Sequence, residues 1–343
     1  IIRKLPPFFS ATFHIRDVDC NYTSNLTIMK AIKLSLLLSL IVTLFGCQPE
    51  QRLEQGEGFI ETVNGKIWYR VTGNGNGTPL LLLHGGPGFT SHPLNPMSEL
   101  GSDRPIIFID QLGSGRSDIL KDTSLMTIEN FVEHISQVKS GLGLNEFYLY
   151  GHSWGTMLAM DFYLKYPEGI KGIIFASPLL STEMWSKDAD KLIKELPDSV
   201  QQDIAIHTAN KTYDSPEYQE AMGVYYTNYV ARKTPWDANI DSTFSMANLE
   251  IYSFMWGPSE FKATGNLKDY NRLDEVKTIS VPTLFICGEY DEAQPSTVQF
   301  YQSLVRNSRF EVIENSAHVL THDNPEKHNQ IVREFLMEND QKE

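Results

Sequence analysis

Ser153 lies at the centre of Gly151-His152-Ser153-Trp154-Gly155, a G-x-S-x-G arrangement that puts a serine hydroxyl on a sharp turn between a strand and a helix. A serine hydroxyl is a weak nucleophile at neutral pH. It needs a base, a group that orients the base, and donors for the oxyanion that forms when it attacks a carbonyl. Asp291, in Gly288-Glu289-Tyr290-Asp291-Glu292, is the candidate orienting acid, with Glu289 and Glu292 as neighbouring competitors. His318, closing Glu314-Asn315-Ser316-Ala317-His318, is the candidate general base among nine histidines. The backbone N–H groups of Trp154 and of Gly86, in His84-Gly85-Gly86-Pro87-Gly88, are the candidate oxyanion donors; a glycine lets the backbone approach a reacting carbonyl with no Cβ in the way. The chemistry implied is acyl transfer through an acyl-enzyme. His152 reads as structural, because an elbow aims the serine's neighbours away from the nucleophile.

These groups need strands that end together. Residues 80–83 are four leucines and read as a buried strand, as do the apolar runs 105–109, 146–150, 173–176, 282–288 and 310–313. Helical spacing follows at 156–166 and 325–337, and residues 58–63 and 66–71 read as an opening hairpin joined at Asn64-Gly65. Asp291 and His318 each fall just after a strand, where open α/β sheets place their ligands. The order Ser153, Asp291, His318 is that of α/β-hydrolases and differs from the chymotrypsin and subtilisin orders. The predicted fold is therefore an α/β-hydrolase: a mostly parallel central sheet with helices on both faces, built from residues 58–180 and 276–343. Residues 181–275, rich in charge, aromatics and helical periodicity, form an inserted helical cap. Its Tyr225, Tyr226, Tyr229, Trp236, Tyr252, Phe254, Trp256 and Phe261 read mostly as cap core. Residues 110–117, after the strand 105–109, read as a substrate-side loop.

Together, His84-Gly85-Gly86-Pro87-Gly88, residues 110–117, Gly151-His152-Ser153-Trp154-Gly155 and Gly288-Glu289-Tyr290-Asp291-Glu292 resemble the proline iminopeptidase family of α/β-hydrolases. Within it, Trp256-Gly257-Pro258-Ser259-Glu260-Phe261 is similar to the tricorn-interacting-factor aminopeptidases. The resemblance implies a serine aminopeptidase that releases the N-terminal residue, proline or another hydrophobic residue, from short peptides with a free N-terminus. It also implies that Glu260 and Glu292 grip the substrate's α-ammonium. That group has a pKa near 8 and is mostly charged at neutral pH, so carboxylates in a partly desolvated cleft give it charge-assisted bonds. The rival readings are a carboxylesterase or other small-molecule hydrolase, for which those glutamates are irrelevant, and a binding protein that kept the elbow without turnover. Dehalogenase or epoxide hydrolase chemistry fits less well, since similar enzymes of that kind carry an aspartate where Ser153 stands.

No cofactor is implied: the glycine-rich loops are followed by no G-K-[ST], and no G-x-G-x-x-G opens a first βα turn. Cys20, Cys47 and Cys287 are the only cysteines, so a cysteine zinc site or a disulfide framework in the folded part is excluded. Residues 29–46 combine a basic start with a short apolar run and read as a lipoprotein signal peptide. Leu44-Phe45-Gly46-Cys47 ends it like a lipobox, making Cys47 the lipidated first residue and 47–57 a tether. Residues 1–28 read as an upstream extension that is not native. The expected location is a bacterial cell envelope, with a lipid anchor in the membrane; Gln48 in place of aspartate points to the outer membrane, periplasmic side. Beyond residue 46 the chain carries 24 basic against 41 acidic side chains. Such a surface disfavours nucleic acid and attracts cationic amino termini.

Overall fold

The computed structural model describes residues 53–341. The 1–28 extension, the 29–46 signal segment, Cys47 and the first part of the tether lie outside the described residues.

Strands β1 (Gly56–Thr62) and β2 (Gly65–Thr72) form an antiparallel hairpin in which Thr62 pairs with Gly65. The turn is thus Val63-Asn64, one residue earlier than the Asn64-Gly65 expected from composition. Strands β3 (Leu80–Leu83) and β4 (Ile106–Ile109) are buried at every position, as unbroken apolar runs covered on both faces must be. With β5 (Phe147–His152), β6 (Ile170–Ala176), β7 (Thr283–Gly288) and β8 (Ser308–Ile313) they build one eight-stranded sheet of order β1-β2-β4-β3-β5-β6-β7-β8. Every pairing from β4 to β8 is parallel, and β2 runs antiparallel to both its neighbours.

Alternate strand residues face opposite sides. Leu81, Leu83, Ile107 and Ile109 join one core cluster, shared with α1 (Ile128–Gly141) and α2 (Trp154–Lys165). Leu80, Leu82, Ile106 and Phe108 join the other, under the C-terminal helix (Pro325–Asp340) and the 3-10 segment His92–Ser102. Helix α2 is apolar all round, which suits a helix buried beneath its neighbours rather than one lying on the surface.

Between β6 and β7 the chain forms five helices: α3 (Thr182–Lys194), α4 (Asp198–Asn210), α5 (Pro216–Tyr225), α6 (Ala238–Ser245) and α7 (Leu249–Met255). Ser181, Ser215, Asp237 and Asn248 cap four of them by accepting backbone N–H bonds in the first turn. This insertion has its own apolar cluster, including Leu192, Ile204, Tyr225, Tyr229, Ile240 and Phe261, and Val319 from the loop after β8 packs into it. A π turn, Tyr226–Val230, continues α5. After β7 come α8 (Pro295–Ser303), β8, a single helical turn at Leu320–Asp323, and α9 (Pro325–Asp340). The sheet order reverses at β3 and β5, so the loops leaving them open a crevice at their carboxyl ends.

Candidate active site

The elbow explains its own sequence. Ser153 joins β5 to α2 with φ 55° and ψ −123°, a conformation costing on the order of 1–3 kcal/mol for a residue with a Cβ. Its N–H donates to the Ala176 carbonyl of β6 at 3.1 Å. A Cβ on Gly151 would lie 2.3 Å from the Gly155 carbonyl oxygen, and one on Gly155 would lie 2.2 Å from that of Leu83. Both neighbours must therefore be glycine for β5 and α2 to turn this tightly against β3. Trp154 is the first residue of α2, so its N–H has no intrahelical acceptor and stays free for an oxyanion.

Asp291 and His318 come to the same place from the ends of β7 and β8. The Asp291 carboxylate is fully buried and accepts four bonds: His318 Nδ1 at 2.8 Å and the Ala293 N–H at 2.8 Å on Oδ1, the Ser177 hydroxyl at 2.6 Å and the Gly288 N–H at 3.1 Å on Oδ2. The bond from Nδ1 fixes the His318 tautomer, leaving Nε2 to take a proton. Ser153 and His318 line one cavity, together with Gly85, Gly86, Glu260 and Glu292. Glu289, the other sequence competitor, is exposed and accepts the Asn315 N–H at 3.0 Å. His152 holds the base from behind: its Nε2 donates to the His318 carbonyl at 2.9 Å. Burial, then the adjacent His318, pull its pKa down to about 3, so it stays neutral.

The loop 110–117 differs from its sequence reading, for none of its residues lines this cavity or the two beside it. Asp110 is buried, and although burial opposes its ionisation, bonds from Arg116 hold its carboxyl at about 2. Gln111 links the other two motifs: its N–H donates to His84 Nε2 at 2.9 Å, its amide to the His84 carbonyl at 3.0 Å, and its Oε1 accepts the Trp154 indole at 2.8 Å. The stretch braces the glycine-rich loop against the elbow, and the two candidate oxyanion donors, Gly86 and Trp154, share a recess with Ser153.

Glu260 reaches the cavity from the cap. Its Oε2 accepts the Tyr226 hydroxyl at 3.0 Å and the Tyr252 hydroxyl at 2.7 Å. Glu292 comes from the other side, with Oε1 3.7 Å from His318 Nε2. It is buried, and its Oε2 has no hydrogen-bond partner. Burial first, then the charges of Glu260 and Asp291, push its carboxyl well above the usual carboxylate range. A buried carboxyl disfavoured from ionising by its surroundings is suited to a cation that would supply the missing charge. Among the described residues, no cluster of histidine, cysteine and acidic side chains is arranged to hold a metal.

Residues 78–325 match the family model for the alpha/beta hydrolase fold. A proline iminopeptidase of Heyndrickxia coagulans is 40% identical over 284 residues, covering 82% of this chain and 98% of the relative. One from Saccharolobus solfataricus is 33% identical over 271 residues, covering 78% and 87%. The chain belongs to the proline iminopeptidase family. Among solved structures, the proline iminopeptidase of Mycobacterium smegmatis superposes with a TM-score of 0.78 at 27% identity, covering 83% of this chain and 99% of that one. The protein VinJ superposes at 0.80 with 34% identity, covering 82% and 98%. A thermophilic esterase from Thermogutta terrifontis, at 21% identity and a TM-score of 0.58, shares the fold alone.

For this member of the family, the cap aromatics divide in a way their sequence does not announce. Tyr225, Tyr229 and Phe261 fill the cap's own core, Phe254 is 41% exposed, and Tyr226, Trp236 and Tyr252 line the cavity. Trp256 instead walls the recess beside Ser153. Sequence reasoning passed over Ser177, which stands at φ 50° and gives its hydroxyl to Asp291. It also passed over Phe89 and Phe244, which pack edge to face at 5.6 Å on the cavity wall. Ser177 and Phe244 have no motif around them, and Phe89 follows a motif read for its glycines, so only the folded contacts reveal the three.

Proposed function

We propose that Ser153 is the nucleophile of a serine aminopeptidase that releases an N-terminal proline or other hydrophobic residue from short peptides. His318, oriented by Asp291, takes the hydroxyl proton as Ser153 attacks the first peptide carbonyl. The backbone amides of Gly86 and Trp154 stabilise the oxyanion, His318 protonates the leaving amine, and water then hydrolyses the acyl-enzyme through the same groups. The observation that carries the reading is the pairing of Glu260 with Glu292, whose buried Oε2 lacks a partner, in the same cavity as Ser153. An α-ammonium held there supplies the missing positive charge and limits entry to one residue ahead of the scissile bond. The recess beside Ser153, walled by Met157, Leu179, Trp185, Trp256 and Leu267 together with Tyr252 and Glu260, would take the first side chain.

The test compares prolyl, alanyl and leucyl anilides with free and acetylated amines, beside a short acyl ester. Cleavage is expected only with the free amine. Glu260→Gln is expected to lower kcat/KM about 10- to 100-fold, the worth of one charge-assisted bond, while leaving hydrolysis of the acetylated series at background. Ester cleavage indifferent to the amine would remove the peptidase reading and favour a carboxylesterase. On residues 44–47 alone we also propose a lipid anchor at Cys47 in the bacterial envelope. Incorporation of radiolabelled palmitate by expressing cells should be lost in Cys47→Ala, and an unlabelled parent protein would end that proposal.

A further inference from the structure

Strand β6 ends among the three loops that carry the nucleophile, the acid and the base. Its last residue, Ala176, accepts the Ser153 N–H at 3.1 Å. The next residue, Ser177, gives its own N–H to the Ile286 carbonyl of β7 at 2.8 Å and stands in the left-handed region at φ 50°. Its Oγ lies 2.6 Å from Asp291 Oδ2 and 2.9 Å from the His318 carbonyl oxygen. Ser177 is fully buried, so these contacts are made away from bulk water.

One hydroxyl proton does not serve two acceptors fully. The His318 carbonyl already accepts His152 Nε2 at 2.9 Å, whereas Asp291 Oδ2 otherwise has only the Gly288 N–H at 3.1 Å. A carboxylate is also the stronger acceptor, and the shorter distance is on its side. The Ser177 proton therefore goes to Asp291. A residue with a Cβ is strained at this φ, where glycine would stand freely. Ser177 lines neither the cavity that holds Ser153 nor the two beside it, so its hydroxyl meets no substrate. Resting on the Ser153, His318 and Asp291 roles proposed above, we propose that Ser177 is a positioning residue for the reaction. By holding the outer oxygen of Asp291 it turns Oδ1 to His318 Nδ1 and keeps the base in register with the nucleophile. The end of β6 then fixes all three groups, the nucleophile through Ala176 and the acid and base through Ser177.

The experiment compares Ser177→Ala and Ser177→Gly with the parent in three measurements: kcat and KM on a prolyl anilide, the rate of Ser153 labelling by a fluorophosphonate, and Tm. Both variants should lower kcat and the labelling rate about tenfold, the lower end of what a hydrogen bond to a charged group is worth, with KM changed less than about twofold. Ser177→Gly should melt no lower than Ser177→Ala, because only alanine keeps a Cβ at φ 50° and the strain outweighs the extra chain entropy of glycine. A role confined to folding predicts instead that the glycine variant regains activity along with stability. Parental kcat and labelling rate in the glycine variant would overturn the proposal, and so would a rise in KM with kcat unchanged. A parent that fluorophosphonate does not label at Ser153 overturns the nucleophile itself, and the role of Ser177 falls with it. Labelling without anilide cleavage removes only the peptidase reading, and the labelling rates of the two variants then decide the role of Ser177.

Discussion

Ser153→Ala is expected to lower kcat for a prolyl anilide by roughly 10⁴- to 10⁶-fold while leaving substrate binding nearly intact. The elbow does no chemistry apart from what it presents, and every backbone feature of it survives the change: the N–H bond to Ala176, the glycine clearances at 151 and 155, and the free amide of Trp154. What is lost is the atom that forms the acyl-enzyme. Residual turnover would come from the oxyanion donors and the acid pair acting on a water molecule, a contribution of about 10³- to 10⁴-fold over solution in comparable enzymes. Steady-state rates, with mass spectrometry for a trapped acyl or phosphonyl adduct on Ser153, decide the matter. Turnover within tenfold of the parent, or an adduct on another residue, would dismiss Ser153 as the nucleophile.

Asp291→Asn should cost about 10⁴-fold in kcat, with KM changing little. The carboxylate meets four donors, and an amide brings two N–H groups into that ring. With its NH₂ on the Oδ1 side it opposes the Ala293 N–H and forces His318 Nδ1 to become an acceptor, the wrong tautomer for a base at Nε2. With its NH₂ on the Oδ2 side it strands the Gly288 N–H, although Ser177 can turn its hydroxyl to the His318 carbonyl at 2.9 Å. The second arrangement is the less damaging and keeps the tautomer, yet the imidazolium formed during attack then has no buried counter-charge from Asp291. A variant within tenfold of the parent would show that the orienting acid lies elsewhere, with Glu292, 3.7 Å from Nε2, the group to examine next.

The candidate nucleophile, acid and base, which the fold brings to one site, were legible because each is announced locally: a turn that tolerates only glycine on both sides, and polar residues immediately after runs that can only be buried strands. The same locality located the glycine-rich loop after β3. Glu260 was different, since a glutamate in a helical insertion looks like any solvated one, and only the family resemblance singled it out. The loop 110–117 misled for the opposite reason. Glycines, a serine and an arginine after a strand suggest ligand binding, but here Asp110 and Arg116 satisfy each other and Gln111 braces the elbow. Nor could pattern alone sort eight cap aromatics into core, rim and surface, because that division depends on which helix faces the sheet.

The π turn after α5 carries a consequence for how such an insertion evolves. The Tyr229 carbonyl accepts the N–H groups of both Glu292 and His318, at 3.3 and 3.2 Å, and the Val230 carbonyl accepts that of Val319 at 2.8 Å. The cap is thus stitched by main-chain bonds to the two loops that carry the acid pair and the base. A foreign cap grafted between β6 and β7 would have to reproduce those carbonyls at the same positions before it could offer a new substrate surface. The insertion is for that reason tied to the loops it covers, and the side chains on its inner face are the part that can change without breaking those bonds.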